Sequence, residues 1–215
     1  MNTHFLPYNE DSVVYGMQFL RGDAEFDHYE NILANAYNKL GFDLARIKVP
    51  PRGQRFFIRR NQQVAAIGAL SQVQRGEHYF RYIPELQGLS AQDTRVCEVH
   101  NVIVLDEARG GYTLAVLMYE CAKWAVAHSY QYIVGLTRYQ VLRHFVAFGI
   151  NPVQHPPLSL LGQPHLKDFI IYYDTHSPEA LRYMHARARN YFQQERTMRR
   201  IKELYLRREP AHESL

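Results

Sequence analysis

The sequence predicts an α/β (α+β) chain, with a mixed central β-sheet flanked by helices and a helical C-terminal extension. Three observations lead there. Two strand-like runs, 55–60 and 64–73, are joined by the short turn Asn61-Gln62-Gln63. Strand-like and helix-like segments then alternate from 96 to 174, the order of a sheet with helices on its faces. The run 96–105 carries apolar residues on both parities toward its end, as a strand buried on both faces does.

The elements follow in order. Residues 1–22 show no clear period and read as chain lying over the surface. A helix is expected over 26–40, because Phe26, Tyr29, Leu33, Ala36, Tyr37 and Leu40 recur at three and four. Asp23 is its expected N-cap and Gly41 its end. Pro50-Pro51-Arg52-Gly53 breaks the chain before the hairpin. Gly68, inside the second hairpin strand, marks a bulge or a close approach. Residues 74–94 read as loop, with a short helical piece near Pro84-Glu85-Leu86. After the strand 96–105 and the loop 106–111 comes a helix over 113–128, with Leu114, Leu117, Met118, Cys121, Trp124 and Ala125 on one stripe. A strand over 130–137, a helix over 139–148 stopped by Gly149, a Pro-rich loop at 156–164 and a last strand over 167–174 complete the domain. One or two helices are expected over 178–207. The expected division is a domain over 1–175 and a basic extension over 176–215.

The chain has 215 residues, 47% of them hydrophobic, with 16 Tyr and 11 Phe. That is enough for one sizeable core and argues against disorder over most of its length. No apolar run approaches the ~18 residues that span a membrane, and no signal peptide is visible. Two cysteines make no disulfide framework, so a reduced cytoplasm is the expected compartment. The net charge of +4 is local: residues 176–215 hold eight Arg and one Lys against five Glu. Such a tail faces nucleic acid, anionic lipid or an acidic protein, or is simply a solvated helix face.

The loop 106–113 joins a central strand to a helix, where free backbone N–H groups and the helix dipole favour a phosphate. Arg109 is placed to neutralise it, and Gly110 and Gly111 let the backbone approach, with Thr113 opening the helix. Glu98 and His100 stand two apart on the preceding strand and so share a face. Glu98 reads as a base for an amine proton. His100 reads first as a packed histidine with one hydrogen bond, and second as sharing the proton. Cys97 falls on the opposite face and is rejected as a nucleophile. No zinc spacing is present, and no metal is expected.

The stretch VCEVHNVIVLDEARGGYTLAVLMYECAKWAVAHSYQYIVGLT resembles the core of the GNAT superfamily of acyltransferases. In that superfamily a strand ends beside a pantetheine arm, and an Arg/Gln-x-x-Gly-x-Gly/Ala loop binds its pyrophosphate. Arg109 matches the first position, while Tyr112 and Leu114 stand where small residues are usual. From about 31 to 174 the chain is similar to the acyl-homoserine-lactone (autoinducer) synthases and N-acyl amino acid synthases. NKLGF, VAAIGALSQV, YFRYIPELQGL, CEVHNVIV and YIVGLTRYQVLRHFVAFGINP carry that likeness.

The resemblance implies a GNAT-like sheet that accepts an acyl group from acyl-CoA or acyl carrier protein, the latter carrying a single phosphate on its arm. It implies an oxyanion donor at a backbone N–H near Val104, where the strand splays from its neighbour. It also implies an acyl tunnel beside Val102, Val104 and Thr137, with Tyr139 and Arg143 bordering the thioester arm. Glu98 is kept from the synthases' polar set. Their first-helix Arg is Leu33 or a neighbour here, their acidic pair before the hairpin is absent from RIKVPPRGQRFF, and two further arginines become Ala69 and Asn101. Residues that would hold S-adenosylmethionine are thus largely replaced, and the expected acceptor is the amine of a different small molecule or amino acid. Arg182, Arg187, Arg189, Arg196, Arg199 and Arg200 are candidates for docking acyl carrier protein. A homodimer is compatible with this reading, and nucleic acid is the less favoured partner. Two alternatives stand: acetylation from acetyl coenzyme A, with a pocket closed beyond two carbons, and a non-catalytic binding protein with a basic tail.

Overall fold

A computed structural model describes residues 14–41, 53–73, 78–87, 95–109, 112–159 and 167–175, and residues 182, 184, 186, 190 and 193 of the C-terminal stretch. Among the described residues, eight strands form one sheet in the order β1-β2-β3-β4-β5-β8-β6, with β7 pairing β8. The strands are β1 Tyr15–Phe19, β2 Gln54–Arg60, β3 Gln63–Gln72, β4 Val96–Val104, β5 Tyr132–Arg138, β6 Asn151–Pro152, β7 Leu158–Ser159 and β8 Lys167–Asp174. The helices are α1 Asp23–Lys39, α2 His78–Tyr82, α3 Pro84–Gln87, α4 Tyr112–Ala127 and α5 Tyr139–Ala147. Pairing is antiparallel throughout except between β4 and β5, which run parallel. The sheet is therefore mixed, as the sequence predicts.

Two faces are covered differently. Ala115, Val116, Leu117, Met118, Cys121, Ala122 and Ala125 of α4 pack with Phe145 of α5 and its C-cap residue Phe148 against Phe56, Ile58, Leu70, Cys97 and Val99 of the sheet. Met184, from the C-terminal stretch, is buried in the same cluster. On the other face, Tyr29 and Leu33 of α1 lie on Phe57 and Ile67. Tyr79, Ile83 and Leu86 of α2 and α3 lie on Val96, Val134 and Ile170. Burying one such side chain contributes ~1.5–3 kcal/mol, so each face has its own hydrophobic anchor.

Several expectations need correction. Residues 15–19 are not surface chain but an edge strand, paired antiparallel to β2 from Tyr15–Arg60 to Phe19–Phe56. Tyr15, Met17 and Phe19 alternate and pack against the α4-side core, a period-2 signal too short to stand out alone. Asp23 is not the cap: Gly22 occupies the N-cap with extended backbone and no side-chain cap bond, and Asp23 opens α1. Residues 78–87 hold two short helices rather than mostly loop, the second at the predicted Pro84. Within the Pro-rich loop, Leu158–Ser159 pairs with β8. Of the helices expected over 178–207, the described residues 182, 184, 186, 190 and 193 are all helical. No described helix is long and apolar enough to cross a membrane.

Candidate functional site

The site begins with an irregularity in β4. Ile103 faces Ile67 and His100 faces Ala69, so three steps along β4 match two along β3. The extra residue is a β-bulge, and Asn101 carries its left-handed backbone at φ 54°. Asparagine tolerates that conformation better than a branched residue. A bulge resets alternation. Cys97 and Val99 point to the α4 side before it, whereas Val102 and Val104 pack there after it and Ile103 turns to the α1 side. Plain alternation would put Val102 and Val104 on the face of Glu98 and His100; the bulge puts them on the opposite one.

The second irregularity is beside it. Parallel pairing of β4 with β5 runs through Val96–Tyr132, Cys97–Ile133 and Glu98–Val134 and then stops. Both strands continue, β4 along β3 and β5 along β8. They diverge into a V-shaped cleft. Gly135 stands at its apex, where a Cβ would come within 3.0 Å of the Val99 carbonyl oxygen. Leu105 donates its N–H to Ala65 on β3. By alternation, the N–H of Val104 points away from β3, toward the cleft. The strand end thus turns one backbone N–H toward the cleft.

Glu98 lies at the mouth of the cleft on the α1–α2 side, and the buried Tyr79 hydroxyl of α2 donates to its Oε1 at 2.5 Å. His100 is on the same side, with Nε2 buried and without a partner among the described residues. Burial, reinforced by the Arg55 charge, pushes its pKa down from 6.5 to about 4. It is therefore neutral at pH 7 and a weak base, which favours a packed histidine over a proton carrier. Thr137 is buried on β5 and faces Phe169 across to β8. Tyr139 is 71% exposed, its ring tilted against Phe169 at 6.0 Å, so Thr137 and Tyr139 meet through that phenylalanine. Arg143 is on the exposed surface of α5. The two cysteines are buried and free, with the Cys97 thiol pushed up to about 12 by burial and then by Glu98.

Solved structures match this architecture. FeeM, an N-acyl amino acid synthase from uncultured soil microbes, superposes with a TM-score of 0.60 over 79% of this chain and 94% of its own, at 14% identity. BjaI, a CoA-dependent acyl-homoserine lactone synthase solved with SAM and isopentyl-CoA, gives 0.58 over 77% and 82%, at 13% identity. A probable acetyltransferase from Staphylococcus epidermidis gives 0.53 over 75% and 99%, at 12% identity. The chain shares the fold of these proteins. By sequence, no protein-family model and no curated protein matches it.

Within this fold, the entry to α4 is held by its own contacts. Arg109 pairs with Asp106 at 2.7 Å, and Asp106 also takes Lys39 of α1 at 3.1 Å. Those two cations, first through the Lys39 hydrogen bond, hold the Asp106 carboxyl below its usual range. The Arg109 side chain is 70% exposed. Thr113 is buried, and its hydroxyl donates to the Ala108 carbonyl at 3.1 Å, which fixes the turn into the helix. Gly110 and Gly111 lie outside the described residues.

Sequence reasoning missed the polar groups of the α1 side. Tyr37 donates to Asn101 Oδ1 at 3.1 Å, and its hydroxyl also feels Arg138 and Asp168 across the cleft. Tyr29 is fully buried, its ring under the Arg55 guanidinium at 5.4 Å. Its hydroxyl faces the Asn101 side chain. The helical pattern shows Tyr29 and Tyr37 only as apolar positions. Their hydroxyls matter because two strands and a helix converge on Asn101, which no local pattern signals. Among the described residues, no group of His, Cys, Asp and Glu forms a metal site.

Proposed function

We propose that this chain is an N-acyltransferase that moves an acyl group from an acyl thioester, carried by acyl carrier protein or coenzyme A, to the amine of a small molecule or amino acid. The observation that carries the reading is the end of β4–β5 pairing at Glu98–Val134, which opens a cleft between two continuing strands. The thioester arm enters that cleft, and the acyl chain runs along the wall of Val102, Val104 and Thr137. The Val104 N–H stabilises the oxyanion as charge develops on the thioester oxygen.

The acceptor comes from the opposite face, where Glu98 and His100 lie. Its nitrogen attacks the thioester carbon, the C–N bond forms and the C–S bond breaks. Glu98 takes the amine proton, directly or through water, and the thiolate leaves and is protonated to the thiol. Tyr79 orients the carboxylate. FeeM, an N-acyl amino acid synthase, and BjaI, a CoA-dependent acyl-homoserine lactone synthase, lend support through their shared fold. The arginines of 176–215 are proposed to dock the acidic carrier protein, and the cytoplasm is the proposed compartment.

The test is transfer by the purified chain, with acyl carrier protein and coenzyme A thioesters of several lengths against a panel of amines, read by mass spectrometry. Formation of an N-acyl amine is expected. The Glu98→Gln variant should lose ~100-fold or more in kcat. Equal turnover in the two proteins would remove Glu98 as base, and absence of transfer from every thioester would overturn the reading.

A further inference from the structure

The two edges of the described sheet are built differently. One is closed by β6 and β7, strands of two residues each, both paired to β8, and β6 carries Pro152. Short strands and proline are ordinary devices that stop an edge from pairing further. The other edge is β1, Tyr-Gly-Met-Gln-Phe, with five residues, no charge, no proline and an unbroken register on β2. Among the described residues no strand lies beyond it.

The outward hydrogen-bonding groups of β1 can be assigned. Asn61 donates its N–H to the Val14 carbonyl, and Leu20 donates to the Arg55 carbonyl. In an antiparallel ladder such bonded positions recur at every second residue. The even-numbered residues from Val14 to Leu20 therefore bond to β2. Tyr15, Met17 and Phe19 turn both N–H and C=O away from it, and a row of this kind is a template for a further strand.

The row is self-complementary. Let a second β1 run antiparallel about a twofold axis at Met17. Met17 then faces Met17 of the partner subunit, and Tyr15 faces Phe19 of the partner subunit. Among twofold registers, this one keeps all three outward residues within the two strands, and each opposed pair exchanges two hydrogen bonds. The side chains fit the same register. Tyr15, Met17 and Phe19 lie on the α4 side, where aromatic and apolar cross-strand pairs form. On the other side Val14, 47% exposed, comes opposite Leu20 of the partner subunit. No like charges are opposed between Val14 and Leu20.

We propose that the chain forms a twofold dimer by antiparallel pairing of β1 with β1 of a second copy, centred on Met17, so that one sheet runs through both copies. The β4–β5 fork lies beyond β2 and β3 from this edge, and pairing leaves both clefts open. The proposal is independent of the acyl-transfer reading. A strand this short buries less than the ~1,200–2,000 Å² of a standard interface, so the dimer is concentration-dependent.

The experiment is sedimentation velocity of the full chain from ~1 μM to ~0.3 mM, where a monomer–dimer equilibrium is expected. Met17→Pro removes an outward N–H and leaves the bonds of β1 to β2 in place. It should raise the dimer dissociation constant ~30-fold or more. Met17→Cys carries the test where the proline variant does not fold. Opposed bonded residues have Cα atoms ~5.5 Å apart, within reach of a disulfide. With oxidised glutathione, Met17→Cys should link two copies, whereas Tyr15→Cys should not, since each Tyr15 opposes Phe19 of the partner subunit. The native cysteines are buried, and wild type is the control. A chain that stays monomeric throughout, a dimer undiminished in a folded Met17→Pro protein, or linkage through Tyr15→Cys as readily as through Met17→Cys would each overturn the proposal. A monomer with slow hydrogen exchange at Tyr15, Met17 and Phe19 would also overturn it, and would assign the edge to another segment of the same chain.

Discussion

His100 titrates in a way that reports its surroundings. Its pKa in the folded chain is about 4, below the ordinary 6.5, with burial the first cause and Arg55 the second. Between those values the unfolded chain binds the proton and the folded chain does not. Stability from this residue is therefore complete above pH 6.5 and is lost as pH falls toward 4. Urea unfolding at pH 7 and pH 4.5 should show a loss of ~2–3 kcal/mol in the wild type that His100→Gln lacks. An equal loss in both proteins would place the titrating group elsewhere. Glu98 and His100 were legible from their spacing on one strand. Their different chemistry was not, because it depends on Tyr79 meeting one and Arg55 facing the other from distant segments.

The β4 bulge and the β4–β5 fork are the elements that make the site. At the bulge, Asn101→Val forces a β-branched residue into φ 54° and should destabilise by ~2 kcal/mol, while Asn101→Gly keeps the backbone and should stay within ~1 kcal/mol of wild type. Chemical denaturation of the pair separates backbone strain from loss of the amide. At the fork, Gly135→Ala sets a methyl 3.0 Å from the Val99 carbonyl oxygen, and the strands must part to admit it. A loss of ~1–3 kcal/mol is expected, together with transfer activity falling more than stability does. Unchanged melting and turnover would show that the apex tolerates the methyl. Gly68 was readable as a close approach, and Phe56 covers it so closely that a Cβ would sit 2.4 Å from the ring. Neither Gly135 nor Asn101 announced its role, since each needs two paired strands before the constraint exists.

Across the whole molecule, Met184 ties the C-terminal stretch to the main core. It is 1% exposed among α4, α5 and sheet residues. Met184→Ala should cost ~2–5 kcal/mol in urea unfolding with an unchanged m-value. A negligible change would mean that the stretch from 176 folds independently of the sheet. The proposed division at 175 is then one of composition, since Met184 beyond it belongs to the same core as the sheet.

Local pattern determined the strong periodic elements: α1, the β2–β3 hairpin, β4, α4, β5, α5 and β8. Each repeats apolar residues at a period its own backbone imposes, and the strand–loop–helix–strand order placed a mixed sheet among them. Short or edge elements, β1, α2 and β7, escaped because a few residues hold too little pattern to outweigh their neighbours. Only the tertiary structure decided which face each site residue occupies. One inserted residue at Asn101 reverses every side chain beyond it, and the fork at Glu98–Val134 exists only once β4 and β5 have chosen different partners. Those are properties of pairing, and pairing joins residues that the chain keeps far apart.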